Sequence, residues 1–160
     1  MKIPSVHELR QELLHRPAEE LLEYCLRLAR FKQENKELLA FLLFESGDMD
    51  GYLLKVKEDI RQQFEEVNKT QLYFAKKNLR RILRQVNKQI RYTASKQVEV
   101  ELVLHYCILL TGSGIEIKKS PVIWNVLKTQ IKKLDKAVSG LHEDLQYDYK
   151  KEMKSLQAWK

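Results

Sequence analysis

The sequence predicts an all-α protein: an antiparallel stack of about seven helices in helical hairpins, HEAT-like or an irregular bundle. Three observations predict it. Apolar residues recur at helical spacing in nearly every segment. Only five Gly and three Pro are spread over 160 residues, which leaves little chain for long loops. Capping and proline signals stand at the starts of several periodic runs.

Taken in order, Ser5 followed by Glu8 has the form of a capping box and opens a short helix through about Leu14. Pro17 suits the first position of a second helix, to about Phe31. Leu21, Leu22, Tyr24, Cys25, Leu26, Leu28 and Ala29 surround most of its circumference, so it is expected to be central and buried. A third helix, Gln33 to Phe44, ends in an apolar run and is also expected to be buried. Ser46-Gly47-Asp48 reads as a turn. A fourth helix runs from about Asp50 to Val67, and a fifth, strongly basic, from about Thr70 to Ala94.

The stretch Gln97–Leu110 is two-sided. Val98, Val100 and Leu102 alternate as a strand would, but the run is long and a lone strand would have no partner, so a buried helix is expected. Ser120-Pro121 opens a long last helix, 121–158. Leu127, Ile131, Leu134, Val138, Leu141 and Leu145 give it a seven-residue apolar repeat, through which a second copy of the chain could pair. Gly140 interrupts this repeat and marks a close contact or a break. Leu22–Leu28 (LEYCLRL) and Leu104–Leu110 (LHYCILL) match closely, as an internal duplication of helical hairpins or chance between Leu-rich helices would give.

Composition bounds the rest. Hydrophobic residues make up 44 % and charged residues 32 %, a globular balance that fits a single domain over 1–160. Cys25 and Cys107 sit in apolar runs with no CxxC between them, which reads as two buried thiols in a reducing, cytoplasmic compartment. The longest uninterrupted apolar run, Leu38–Phe44, falls far short of the roughly 20 residues that span a bilayer, so no membrane partner is expected.

The segment Ala18–Glu45, which opens Glu-Glu-Leu-Leu-Glu-Tyr-Cys-Leu-Arg-Leu-Ala-Arg-Phe after Ala18 and closes Leu-Leu-Ala-Phe-Leu-Leu-Phe-Glu, resembles small all-helical bacterial proteins of uncharacterised function. The likeness is one of hydrophobic pattern. It implies a helical fold and transfers no active residue.

Charge carries the functional signal. Residues 1–66 hold ten Lys/Arg against fourteen Asp/Glu; residues 67–160 hold nineteen against eight. Val67 to Val98 contains no acid at all. At about 100° per residue, Lys76, Lys77, Arg80, Arg81, Arg84, Lys88 and Arg91 gather on one flank of the fifth helix, beside its core stripe, with Tyr73 in the same arc. One reading is a phosphate-tracking surface for RNA or DNA, with Tyr73 stacking on a base. Another is internal pairing with Glu58, Asp59, Glu65 and Glu66 on the preceding helix. A third is an acidic protein partner.

Other chemistry leaves no motif. His7, His15, His105 and His142 form neither HExxH nor a Cys/His zinc pattern, so no metal or cofactor is expected. Gly112-Ser113-Gly114 lacks a following Walker lysine, and no GxSxG occurs. The expected role is therefore a non-catalytic interaction or scaffold module with a protein partner. The alternatives are a nucleic-acid-binding protein using the basic helix 70–94, and an enzyme with no recognisable motif.

Overall fold

The computed structural model describes residues 1–160 and contains eight α-helices and no strand. Helical residues make up 82 % of the chain, so the all-α expectation holds. The chain falls into two compact units, 1–47 and 48–160.

The first unit holds α1 (Val6–Leu14), α2 (Ala18–Phe31) and α3 (Gln33–Ala40), which runs on into a π turn, Phe41–Glu45. The capping box is present: Glu8 N–H donates to Ser5 Oγ at 3.3 Å and Ser5 N–H to Glu8 Oε2 at 2.7 Å. These two bonds satisfy helix-end donors reciprocally. Lys32, extended at φ −147°, turns the chain between α2 and α3, and Asn35 Nδ2 donates back to Leu28 O at 2.8 Å. α2 packs on α3. Neither helix has a buried residue; in this unit only Phe41 is buried. Here the sequence reading fails. α2 and the end of α3 were expected inside, yet Leu22, Leu28, Leu43 and Phe44 are 58–81 % exposed, and Cys25 is exposed as well. The physical reason is size. Forty-seven residues in short helices do not supply enough surface to enclose a helix that is apolar all round.

The second unit is an irregular bundle built around α6. Its elements are α4 (Met49–Glu65), α5 (Leu72–Thr93), α6 (Lys96–Gly112), a 3-10 turn (Ile117–Lys119), α7 (Pro121–Ser139), α8 (Glu143–Glu152) and a C-terminal 3-10 segment (Met153–Trp159). The stretch that alternates like a strand is thus a helix. It packs against α4, α5, α7 and the C-terminal segment, and buries Val98, Val100, Leu102, Val103, Leu104, Tyr106, Cys107 and Leu110. A helix surrounded by others needs apolar residues on every side, and this is what imitates a strand's alternation.

The flanking helices bring one apolar stripe each. α5 contributes Ala75, Leu79, Ile82 and Val86, and α7 contributes Ile123, Leu127, Ile131, Leu134 and Val138. The seven-residue repeat of α7 is therefore spent on this unit's own core. Full burial of each such aliphatic side chain is worth roughly 1.5–3 kcal/mol. The expected long last helix is two helices: α7 ends at Gly140, and α8 starts after His142, whose Nδ1 accepts from Asp144 N–H at 3.4 Å.

Polar ties fix the bundle's register. Tyr106 Oη donates to Leu79 O at 3.1 Å, joining α6 to α5. Glu101, on α6, accepts from Lys57 of α4 and from Tyr149 of α8. No helix is long and apolar enough to cross a membrane.

Candidate functional site

α5, at 22 residues, has about six turns, and its cations, Lys76 to Arg91, run over a little more than four of them. Its core stripe faces α6. One edge meets α4, where Tyr52 Oη donates to Gln89 Oε1. The other edge meets α7, where Lys133 Nζ donates to Asn87 Oδ1 at 3.0 Å. The basic arc starts at this second edge and continues over the solvent side. Lys77, Arg80, Arg81, Arg84 and Arg91 are exposed; Lys76 and Lys88 are half-buried.

The acids of α4 do not neutralise this flank. Arg61, one turn along α4, takes two of them: its Nε donates to Glu58 Oε2 at 2.9 Å, and its Nη1 bonds Glu65. The Arg61 guanidinium and the Gln62 amide hold the Glu58 carboxyl down at about 2, well below the usual carboxylate range. Asp59 accepts from Gln63 Nε2 at 2.7 Å. Lys76, Lys77, Arg80, Arg81, Arg84 and Arg91 form no ion pair with any carboxylate. α7 extends the positive field. It carries Lys128, Lys132, Lys133 and Lys136, and its single acid, Asp135, is bonded to Lys160 at 2.9 Å.

Tyr73 stands at the start of α5, 57 % exposed. Lys77 Nζ lies 4.5 Å and Lys76 Nζ 5.1 Å from its ring centroid. Phe74 packs edge-on against it at 5.4 Å and is itself 48 % exposed. Tyr73 is thus brought together with Lys76 and Lys77, while Arg81 and Arg91 stand more than two turns apart along the same flank.

Sequence reasoning missed a second feature beside this flank. Arg80, Val122, Asn125, Val126, Thr129 and Gln130 line a cleft of about 280 Å³ between α5 and α7. Gln130 is only 6 % exposed, and its Oε1 has no hydrogen-bond partner. The signal was present: Gln130 lies among Ile123, Leu127, Leu134 and Ala137 at helical spacing, a polar residue in the middle of an apolar stripe.

Elsewhere, His105 Nε2–H donates to Lys57 O at 3.0 Å, and burial lowers its pKa from the ordinary 6.5. Burial pushes the Cys107 thiol up to about 12. No group of three or more His, Cys, Asp or Glu side chains converges as a metal site would require.

Fold and site together define an all-α chain with a two-helix cationic face. No family model, no curated protein and no solved structure matches it.

Proposed function

We propose that the protein is a non-catalytic binding module whose α5 flank takes single-stranded nucleic acid by its phosphates. The observation that carries this reading is the absence of ion-pair partners for six of the seven flank residues named above. Like charges at i,i+4, as in Lys77–Arg81 and Arg80–Arg84, cost a helix about 0.2–0.5 kcal/mol per pair. An anion laid along the flank offsets that cost, and counterion release adds to its affinity. Tyr73 and Phe74, exposed at one end of the track, supply faces on which bases stack. Contacts of this kind read phosphates, so the flank by itself discriminates little between sequences.

The test replaces Lys77, Arg81 and Arg84 together by Gln, which keeps helix propensity. Affinity for a labelled single strand falls, and the slope of log K against log salt shrinks by about two. The melting temperature stays within a few degrees of wild type, because none of the three is in an ion pair. No binding by the wild-type protein at low salt sinks the reading. A protein partner is the second reading, supported by the exposed apolar side chains of the first unit. Leu22, Leu28, Phe31, Leu42, Leu43 and Phe44 are each more than half exposed, beyond what scattered surface residues amount to.

A further inference from the structure

We propose that a second copy of this chain covers one side of the first unit, α2 lying antiparallel on α2 and α3 on α3, as a weak dimer of helical hairpins. The inference rests on the protein-partner reading of the first unit and names that partner.

One side of the α2–α3 hairpin carries no charge at its centre. Cys25, Leu28, Leu38 and Leu42 line a groove of about 210 Å³ there, together with the Asn35 amide. That amide is used inside the hairpin, donating to Leu28 O at 2.8 Å. On α2, Leu21, Cys25 and Leu28 follow one another at the alternating spacing of a paired-helix seam. On α3, Asn35, Leu38 and Leu42 do the same. Two seams on one side of a hairpin are half of a four-helix bundle.

Charge selects the occupant. The edge of α2 that faces away from α3 carries an acid, Glu20, near its start and a base, Arg27, two turns later. Arg27 has no carboxylate partner within the chain. A second α2 laid antiparallel and centred on Tyr24–Cys25 sets Leu21 level with Leu28 of the copy. It also sets Glu20 within half a turn of Arg27 of the copy, on the same outer edge. A parallel copy would lay acid on acid and base on base. A partner helix of one charge sign would attract one of the two and repel the other. The same rotation serves α3. Tyr24–Cys25 and Leu39–Ala40 are equally far from Lys32, where the chain reverses, so an axis centred on α2 is centred on α3 as well. It brings Leu38 opposite Leu42 of the copy to within a residue. One two-fold axis thus satisfies both seams and the charged edge, as a contact between identical surfaces requires.

The surface available fits a dimer that forms and dissociates. Leu28, Phe31 and Leu42 are 60 %, 84 % and 54 % exposed, and Tyr24 and Leu38 are open beside them. An aromatic side chain buries roughly 150–250 Å² and a leucine somewhat less, so these five supply roughly 500–600 Å² per copy. A pair then buries roughly 1,000–1,200 Å², at the lower bound for a specific interface and far below an obligate dimer. The expected dissociation constant is on the order of 10 µM, so the dilute protein is a monomer with Cys25 open.

The experiment is sedimentation equilibrium of the full chain, from well below that constant to well above it. Wild-type protein is expected to pass from monomer to dimer. Mild oxidation of the concentrated protein links Cys25 to Cys25 of the copy, because the seam brings their Cα atoms within the roughly 7 Å that a disulfide spans. Cys107 is buried and takes no part. Leu28→Glu stays monomeric throughout and melts within a few degrees of dilute wild type, since Leu28 is exposed in the monomer. Arg27→Glu weakens the dimer about fivefold, and adding Glu20→Arg restores it. A double variant as weak as Arg27→Glu overturns the antiparallel register. A dimer that survives Leu28→Glu, or that oxidation does not link through Cys25, overturns the proposal, since the chains then pair elsewhere. A wild-type monomer at every concentration overturns it too. If Cys25 reacts at once in that monomer, the face is still open and the protein-partner reading survives with a different protein. If Cys25 is protected there, the chain covers its own face and both readings fall.

Discussion

Leu28 and Leu110 close the two matching heptapeptides, and their surroundings are opposite. Leu110 is wholly buried, while Leu28 is 60 % exposed. Leu110→Ala therefore costs about 2–5 kcal/mol, through lost transfer energy and a residual cavity. Leu28→Ala stays within about 0.5 kcal/mol. Urea unfolding of the two variants checks the contrast; equal losses would contradict it. The cysteines repeat the pattern. Cys25 should react at once with a thiol reagent in the native protein. Cys107, buried and with its thiol pushed up to about 12, should react only on unfolding. His105 gives the residue scale a pH dependence. Burial lowers its folded pKa below the ordinary 6.5, so at acid pH the unfolded chain binds the extra proton first. Stability contributed by neutral His105 is present above about 6.5 and is lost as pH falls from there toward the folded pKa. His105→Gln flattens this part of the stability profile, which melting curves between pH 7 and 5 would measure.

Helix periodicity made the elements legible, because a packed helix has to repeat its apolar face every three to four residues. It placed α4, α5 and α6 to within two residues of their observed ends. Burial was less legible. The apolar circumference of α2 reads like that of α6, since a pattern records which side chains are apolar and not how much partner surface meets them. α6 has four neighbours inside its unit, and α2 packs mainly on α3. The basic flank was visible as a charge pattern. Whether acids covered it depended on where Arg61 pointed, which no spacing rule gives. Gln130 was visible in principle, as an amide on an apolar stripe, but its cleft exists only once α5 and α7 pack. At the junction of α5 and α6, Ala94 has φ +49°. A side chain in that left-handed region is strained by roughly 1–2 kcal/mol. Ala94→Gly should therefore stabilise the protein by about 1 kcal/mol, against the usual penalty for adding glycine. A lowered melting temperature for this variant would contradict the αL C-cap.

On the scale of the whole molecule, the buried residues of the hydrophobic core cluster run from Ile60 to Leu156, and the partly buried side chains packed on them lie within Met49–Trp159. Residues 48–160 should consequently fold alone, with one cooperative transition. The two tryptophans both belong to that unit. Trp124 and Trp159 stand with ring centroids 6.0 Å apart and planes tilted by 51°, and Lys118 Nζ lies 5.9 Å and 5.6 Å from them. Two indoles this close couple their electronic transitions, so the native chain should show an excitonic pair of bands in circular dichroism. Trp159→Phe should erase those bands while leaving helix content unchanged. Emission from the pair is then an optical gauge of the C-terminal segment's docking, blind to residues 1–47, which contain no tryptophan. A fluorophore attached to the exposed Cys25 would report on those residues instead. One denaturation series read by both probes would give each unit its own transition midpoint.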